Sequence, residues 1–244
     1  MKLTQQTILI TGGNSGIGLN LVKQLHSLGN TIIVVSRSQK NWEQLFQLQP
    51  TVQCLQCDLS NKEQVMHLAD SLKAEKKPID VLINCAALQY TPNLTDENFS
   101  FDSIDLEIHT NFSAVVWLSY LLLPQLQSRP ESAIVNLSSG LAIYPKTASA
   151  VYCATKAAVH SFSQSLRYQL AETPVRVIEV LLPLVDTPMT AGRGTGKISP
   201  AVAAEKIIHG IKTDRDEVYV GKAKMLPFMA RLWPGLMKRI LRKY

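Results

Sequence analysis

A tyrosine and a lysine stand four residues apart in the stretch AVYCATKAAV, at residues 150–159. On a helix, residues i and i+4 share one face, so Tyr152 and Lys156 would point the same way. A phenol has an unperturbed pKa of about 10 and is a poor base at neutral pH. A cation held beside the phenol would lower that pKa, which suits Tyr152 to general acid–base chemistry. A polar patch on an ordinary amphipathic helix gives the same spacing, so other features have to decide between the two interpretations.

A glycine-rich stretch, TGGNSGIG, follows the first apolar run and opens a helix-like segment. Glycine lets a backbone turn tightly and approach a ligand, and the amides and dipole at a helix start favour an anion. Between a first strand and a first helix, this stretch predicts a dinucleotide site rather than an ordinary tight turn. It lacks the GK[ST] sequence of a nucleotide-triphosphatase loop. The cofactor contacts expected from it are Gly12, Asn14, Ser15, Gly16, Ile17 and Gly18.

Further candidate contacts follow the next three predicted strands. The second ends in Ser36 and Arg37, without the acid that NAD-binding units place there. An arginine accommodates a ribose 2′-phosphate, so NADP(H) is favoured over NAD(H), with a solvated strand-end arginine as the alternative. Asp58 either caps the following helix or hydrogen-bonds a base. The contacts expected at these strand ends are Arg37, Asp58, Leu59, Asn84 and Ala86.

Apolar, β-branched runs alternate with helix-period stretches along the chain. Most of the runs are continuously hydrophobic, as expected of parallel strands buried on both faces. The alternation predicts a single Rossmann-type, doubly wound α/β domain with about seven parallel strands and helices on both faces. We place this domain at residues 1–222 and a basic, apolar tail at residues 223–244. The runs are TILIT (7–11), TIIVVS (31–36), VQCLQC (52–57), DVLINC (80–85), AIVNLSS (133–139), VRVIEVLLP (175–183) and EVYVG (217–221).

Bulk properties exclude several classes of protein. Of 244 residues, 46% are hydrophobic and 18% charged, which fits a globular core and argues against disorder. The longest apolar run, 112–124, is shorter than the roughly 20 residues that span a bilayer, so we interpret it as a buried helix. We see no signal peptide and no disulfide framework, so a reduced, cytoplasmic protein is expected. The pattern favours neither a metal site nor a serine hydrolase, because it has no ligand cluster and no G-x-S-x-G elbow.

Positive charge is concentrated in the tail. The net charge is +6, but residues 222–244 contain seven basic residues and no acid, which leaves −1 for residues 1–221. A nearly neutral body argues against nucleic-acid binding. Basic and apolar segments bind anionic membrane surfaces, so the tail could lie on such a surface. Alternatively, it could pack against a second subunit. Pro227 and Pro234 interrupt any single long amphipathic helix.

Taken together, these motifs resemble the short-chain dehydrogenase/reductase family over almost the whole chain. Besides the glycine loop, the matching motifs are CDL (57–59), NCAA (84–87), VNLSS (135–139) and YCATK (152–156). The resemblance implies a nicotinamide cofactor, reversible reduction of a carbonyl to an alcohol, and a homodimer or homotetramer. Within the family, VNLSSGLA and LLPLVDT resemble the bacterial DltE-like oxidoreductases, a name that establishes no substrate. The catalytic tetrad that the resemblance implies is Asn111, Ser139, Tyr152 and Lys156.

The resemblance also implies a role for each of these side chains. Tyr152 would exchange a proton with the substrate oxygen, and Ser139 would hydrogen-bond the same oxygen. Lys156 would also bind the nicotinamide ribose, and Asn111 would hold a water that relays protons to solvent. Ser139 is preferred to Ser138 because the family's serine usually precedes the tyrosine by thirteen residues.

Two departures from the family pattern lie near the expected nicotinamide. Strand 4 ends in NCAA where the family commonly has N-N-A-G, and PLVDTP replaces the usual Pro-Gly after strand 6. We expect Pro183 and Thr187 to contact the cofactor, with Thr187 at the carboxamide. Leu184 would change the space beside the nicotinamide.

The segment 188–200 is rich in Gly, Ser and Thr, which indicates a mobile loop that closes over the substrate. Arg193 and Lys197 in this loop would either meet an acidic substrate or remain solvated. The substrate is expected to be a small or lipid-like carbonyl compound. The rival hypothesis is a non-catalytic NADP(H)-binding sensor on the same fold.

Overall fold

The computed structural model describes residues 1–39, 41–48 and 52–242, so Lys243 and Tyr244 of the predicted tail lie outside the described residues. Within these ranges the chain forms one sheet of seven parallel strands, which confirms the predicted doubly wound α/β domain. The strands are β1 (Thr7–Thr11), β2 (Thr31–Ser36), β3 (Gln53–Gln56), β4 (Val81–Asn84), β5 (Ser132–Ser139), β6 (Val175–Leu182) and β7 (Glu217–Tyr219).

The spatial order of the strands is β3-β2-β1-β4-β5-β6-β7. The order reverses direction between β1 and β4, so the connections after these two strands leave toward opposite faces of the sheet. In open α/β sheets, a crevice for ligands forms at this point, beyond the carboxyl ends of the strands. The glycine loop after β1 and the NCAA segment after β4 border this crevice.

Helices cover both faces of the sheet, and each face has its own apolar core. Along β1, Ile8 and Ile10 pack into the core beneath the first and seventh helices, whereas Leu9 packs into the opposite core. Burial on both sides explains the continuously hydrophobic runs. The helices are α1 (Gly16–Ser27), α2 (Trp42–Leu48), α3 (Lys62–Ala74), α4 (Asp102–Ile108), α5 (Ala114–Gln127), α6 (Ala150–Gln169), α7 (Pro200–Lys212), α8 (Leu226–Leu232) and α9 (Pro234–Leu241).

A π-helical turn, His109–Ser113, joins α4 and α5 into one continuous helix. This helix, residues 102–127, is long and apolar enough to cross a membrane by length and composition alone, which core helices of soluble proteins also satisfy. Leu118, Leu122 and Leu126 pack it against the sheet. Isolated π-turns are frequent at functional sites, and this one carries Asn111.

The glycine loop depends on close backbone packing. Gly12 has a φ of +68° and Gly16 a φ of +52°, in the left-handed region that side chains disfavour. A Cβ at Gly18 would collide with the carbonyl oxygen of Gly12. Glycine at these positions therefore lets α1 begin directly against the turn, with its first amides toward the crevice.

Candidate active site

Two adjoining cavities open at the carboxyl edge of the sheet. The first, here called the strand-end cleft, has a volume of about 330 Å³ and runs along the ends of β1, β2, β3 and β4. The second, the apolar pocket, has a volume of about 660 Å³ and lies beyond β5 and β6. Tyr152 lines both cavities. The other residues that line both are Ile17, Ser138, Leu182, Thr187 and Met189.

The strand-end cleft brings together most of the predicted cofactor residues, although they come from six separate segments of the chain. Two are not part of its lining: Asn84, which is buried in the sheet, and Pro183, which lines the apolar pocket. The predicted residues that line the cleft are Gly12, Asn14, Ser15, Gly16, Ile17, Gly18, Arg37, Asp58, Leu59, Ala86, Tyr152, Lys156 and Thr187.

Asn84 differs from the prediction because its side chain is used inside the sheet. Its Nδ2 donates to Oδ1 of Asn136 at 2.8 Å, and both side chains are buried. The amide therefore links β4 to β5, and only the residues that follow it, beginning with Cys85 and Ala86, reach the cleft.

Of the two roles considered for Asp58, a helix cap or a hydrogen bond to a base, the structure excludes the cap of α3. Its Oδ1 accepts from the backbone amide of Ser60 at 3.0 Å and from the Ser60 hydroxyl at 2.8 Å. The cap of α3 is instead Asn61, whose side chain accepts from the amide of Gln64. Asp58 thus shapes the turn that precedes the helix and borders the cleft, without capping α3.

Tyr152 and Lys156 share one face of α6, as the spacing predicts. The Nζ of Lys156 lies 5.7 Å from the centroid of the Tyr152 ring and donates to the carbonyl of Leu137 at 2.9 Å. Only 4% of Lys156 is exposed. Burial lowers the pKa of Lys156 to about 8, against the opposing influence of Cys85 and Glu179.

The pKa of Tyr152 shifts in the direction opposite to the one expected from its lysine neighbour. Burial raises it, and Cys153 and Glu107 add to the increase. The positive charge of Arg193 and a hydrogen bond with Ser139 act in the lowering direction. The phenol loses water on burial, while the ammonium group of Lys156 is directed to a backbone carbonyl.

Ser139 lies at the end of β5, in the wall of the apolar pocket beside Tyr152. Its Oγ accepts from the amide of Leu141 at 3.1 Å and so caps the short turn that follows the strand. Ser138 differs: it is buried and its hydroxyl donates to the backbone carbonyl of Lys156 at 3.4 Å. Both serines line the pocket, but Ser139 is the one whose side chain forms a hydrogen bond with Tyr152.

Asn111 is fully buried and lines neither cavity. Its Nδ2 donates to the carbonyl of Leu88 at 2.8 Å and to Oγ1 of Thr155 at 3.2 Å, while its Oδ1 accepts from the amide of Leu88 at 2.7 Å. These bonds tie the segment after β4 to α6 next to Tyr152. The water relay that the family resemblance implies for Asn111 stays a prediction.

A row of polar side chains crosses four neighbouring strands, and sequence reasoning missed it. Asn84, Asn136, Glu179 and Glu217 are register partners in β4, β5, β6 and β7, so their side chains share one face of the sheet. The available signal was a polar residue within each of four apolar strands, but only the register aligns them.

Glu179 connects this row to α6. It is completely buried, and its Oε2 lies 2.6 Å from Nδ1 of His160, one turn beyond Lys156. Burial raises the pKa of Glu179, while the hydrogen bond with His160 opposes the increase. His160, Glu179 and Glu217 also bring possible ligand atoms within 4.8 Å of one another, a group that could hold a metal ion and that the sequence did not indicate.

The predicted substrate loop is anchored at its base. Ile198 pairs with Val185 in a short parallel bridge, and the Nζ of Lys197 contacts Oδ1 of Asp186 at 3.2 Å and the carbonyl of Thr190 at 2.7 Å. Of the two basic residues considered for an acidic substrate, Arg193 lines the apolar pocket and Lys197 does not.

The tail folds back over the same pocket. Leu226 and Leu241, from α8 and α9, form part of its wall. Thr147 holds the end of α9, because its amide donates to the carbonyl of Leu241 at 3.4 Å and its hydroxyl donates to that of Arg242 at 2.9 Å. No periodicity or motif in the sequence signals this contact between segments about ninety residues apart.

Comparison with known proteins gives consistent matches over most of the chain. Residues 6–197 match the family model described as short chain dehydrogenase. A Bacillus subtilis (strain 168) protein named "Uncharacterized oxidoreductase DltE" is 40% identical over 227 residues, which cover 89% of each chain. A Burkholderia cenocepacia short chain dehydrogenase solved with NADP is 26% identical, with a TM-score of 0.88 and 99% of both chains covered. A Burkholderia phymatum short chain dehydrogenase/reductase solved with NAD, 19% identical, has the same fold, with a TM-score of 0.85 and coverage of 99% of this chain and 97% of that one.

The negative charge of Glu179 favours the ammonium form of Lys156, and this interaction yields a testable prediction. In Glu179→Gln, loss of the carboxylate should lower the pKa of Lys156 further below its usual range, because the negative charge that favours the ammonium form is removed. Lysine NMR during a base titration would measure this pKa directly. Glu205→Gln, an exposed change of the same charge, should leave it unaltered. An equal Lys156 pKa in both variants would show that Glu179 does not act on the ammonium group.

Proposed function

Because the chain belongs to the short-chain dehydrogenase/reductase family, we propose that it transfers a hydride between NADP(H) and a carbonyl or secondary alcohol substrate. The observation that carries the proposal is the position of Tyr152, which lines both the strand-end cleft and the apolar pocket. A group that exchanges a proton with a substrate next to a cofactor has to face both ligands.

The cleft fits a dinucleotide in shape and in chemistry. It follows the carboxyl ends of the strands and begins at the first residues of α1, where backbone amides favour an anion. It also borders the glycine loop, in which a side chain at Gly18 would collide with the carbonyl oxygen of Gly12. The glycine loop would hold the pyrophosphate, Asp58 and Ala86 would border the adenine half, and Lys156 and Thr187 the nicotinamide half. When bound, NADPH supplies the hydride.

The protein's own residues would supply the proton and stabilise the charge that develops on the substrate oxygen. Tyr152 donates its phenolic proton to the carbonyl oxygen during reduction and takes a proton from the alcohol in reverse. Its raised pKa keeps the phenol protonated at neutral pH, so the proton is in place for reduction, and the positive charge of Arg193 and the hydrogen bond with Ser139 act to make it a stronger acid. Ser139 donates a hydrogen bond to the same oxygen and stabilises its developing charge. Asn111 positions α6 and the segment after β4 through its bonds to Leu88 and Thr155.

Removing the phenolic hydroxyl tests the proposal. Tyr152→Phe should reduce kcat for NADPH-dependent carbonyl reduction by about 10²–10⁴-fold, the usual contribution of a positioned acid. The affinity for NADPH should change little, because the aromatic ring remains in the cleft wall. NADPH consumption across a panel of ketones and aldehydes gives the rates, and fluorescence titration gives the affinity.

The same measurements separate the enzyme from a non-catalytic NADP(H)-binding sensor. A sensor would bind NADPH, yet consume it no faster in the wild type than in Tyr152→Phe with every carbonyl compound. Tyr168→Phe removes an exposed hydroxyl from the same helix and serves as the control for non-specific effects.

We further propose a preference for NADP(H). Arg37 is exposed at the end of β2 and lines the cleft, where it can reach a 2′-phosphate. The adjacent Ser36 hydroxyl already accepts from Nε1 of Trp42 and donates to the carbonyl of Ser38. Among the described residues of the cleft, the only carboxylate is Asp58, which follows β3. The NADP-bound structure at 26% identity supports the same choice.

An Arg37→Ala variant should therefore bind NADPH about 10–100-fold more weakly, the value of hydrogen bonds to a charged group, and bind NADH almost unchanged. Arg215→Ala removes an exposed charge outside the cleft and should affect neither cofactor. Equal losses of NADPH and NADH affinity in Arg37→Ala would refute the preference.

For assembly and location, we propose a cytoplasmic homodimer or homotetramer that touches an anionic membrane surface through α8 and α9. Phe228 and Trp233 are more than half exposed and their rings lie 6.3 Å apart. The same segment of the chain carries exposed basic residues, and each such charge near an anionic surface contributes about 1 kcal/mol. The four cysteines are free thiols, as expected in a reducing compartment. The basic residues are Lys224, Arg231, Lys238 and Arg239.

The double variant Arg231→Glu/Lys238→Glu tests the membrane contact. The wild type should sediment with vesicles that contain phosphatidylglycerol and not with pure phosphatidylcholine vesicles, and the variant should lose this binding. Light scattering should give two or four times the mass of one chain for both proteins. Vesicle binding that is equal in the two proteins would exclude α8 and α9 as the contact surface.

A further inference from the structure

The walls of the apolar pocket carry positive charge in a surface that is mostly nonpolar. Lys146, Arg193 and Lys222 line it, and none of its described lining residues is an aspartate or a glutamate. Lys222 is exposed at the rim, whereas Lys146 and Arg193 are half-buried. The large apolar residues of the wall are Leu141, Tyr144, Leu182, Leu184, Met189, Leu226 and Leu241.

Lys146 and Arg193 are close enough to affect each other. Burial lowers the pKa of Lys146, and the neighbouring positive charge of Arg193 lowers it further. The charge of Arg193 also reaches Tyr152. Two cations and the phenol thus lie within electrostatic reach of one another on the inner side of the pocket.

Neither cation forms an ion pair with an acid in the described part of the chain, whereas the neighbouring Lys197 is paired with Asp186. The carboxylate whose charge acts on Tyr152 is that of Glu107, which is buried outside the pocket wall and accepts from the amide of Tyr90 at 2.7 Å. Burial raises the pKa of Glu107, which disfavours its charged form. The half-buried pair therefore lacks a negative partner, an arrangement that favours binding of an anion.

The cofactor does not account for this pair. Lys146 and Arg193 line the apolar pocket and are not part of the strand-end cleft, whose own candidate for a phosphate is Arg37. The loop 140–148, the loop 184–195 and the tail supply most of the pocket wall, so its charge concerns whatever molecule enters beside Tyr152.

We propose that the substrate is an amphiphilic carbonyl compound with an anionic head, a carboxylate or a phosphate monoester, held between Lys146 and Arg193. This inference rests on the proposed oxidoreductase function. The carbonyl group lies at Tyr152, and the aliphatic body contacts the leucines of the wall, including those of α8 and α9. A volume of about 660 Å³ accommodates a medium-length chain. The planar guanidinium of Arg193 can bind either anion through two parallel hydrogen bonds.

Pairs of compounds that differ only in charge test the proposal. The probes are 5-, 6- and 7-oxooctanoic acids, their methyl esters, and 7-oxooctyl phosphate. The three positions of the carbonyl group vary its distance from the anionic head. For the best acid or phosphate, the wild type should show a kcat/KM about 10-fold or more above that of the neutral ester. The carboxylate and phosphate arms show which head group is preferred.

Lys146→Gln and Arg193→Gln should each remove most of this advantage: in both variants, kcat/KM for the acid should fall about 10-fold or more beyond any fall in kcat/KM for the matching ester. Lys206→Gln is the matched control, since it removes one exposed charge outside the pocket wall. Calorimetric titration of the NADP-loaded protein with each probe measures affinity independently of turnover.

The outcomes separate the two proposals. Equal binding and turnover of acids and esters, or an acid preference that both pocket variants retain, would overturn the anionic head and leave the oxidoreductase function intact. Preferential binding of an anion that is lost in both variants, without turnover of any probe, would support the subsite and count against the proposed reaction. Failure of every anionic probe to bind would also overturn the subsite.

Discussion

A buried ammonium group is the constraint around which this site is arranged. Lys156 is 4% exposed, and moving a charged amine out of water costs several kcal/mol unless polar groups replace the lost solvent. The carbonyl of Leu137 provides one such group at 2.9 Å, and the carboxylate of Glu179 favours the charged form. Burial brings the pKa of Lys156 to about 8, close to neutral pH. With the phenol of Tyr152 beside it, the site has two groups that can exchange protons.

The same requirement explains the polar row inside an otherwise apolar sheet. Asn136 donates to Oγ of Ser163 at 3.0 Å, and Glu179 pairs with His160, so two residues of the sheet hold two residues of α6. Hydrogen bonds have direction, whereas apolar contacts do not. The row therefore fixes the rotation of α6 and with it the direction of Tyr152. Buried polar groups left without partners would be costly, so the row and the helix depend on each other.

The sequence predicts the parts of this molecule that depend on local pattern. The seven strands, the glycine loop before α1 and the shared face of Tyr152 and Lys156 follow from periodicity and spacing, because neighbours along the chain determine them. The direction of the Asn84 side chain does not follow, since it depends on Asn136 in another strand. Neither does the raised pKa of Tyr152, which results from burial by many segments. The contact of Leu241 with the pocket is equally non-local.

The two cavities are built from different parts of the fold, the cleft mainly from strand ends and the pocket mainly from loops. Residues at the ends of strands form most of the cleft, so the cofactor meets backbone that the sheet holds in place. The pocket is built mainly from connecting segments and the tail, which can change without disturbing the strands. Its wall includes Leu226 and Leu241, from the helices that also expose Phe228 and Trp233. The segment that exposes these two rings therefore also forms part of the pocket wall, so a contact made through the rings would be transmitted to the pocket by α8 and α9.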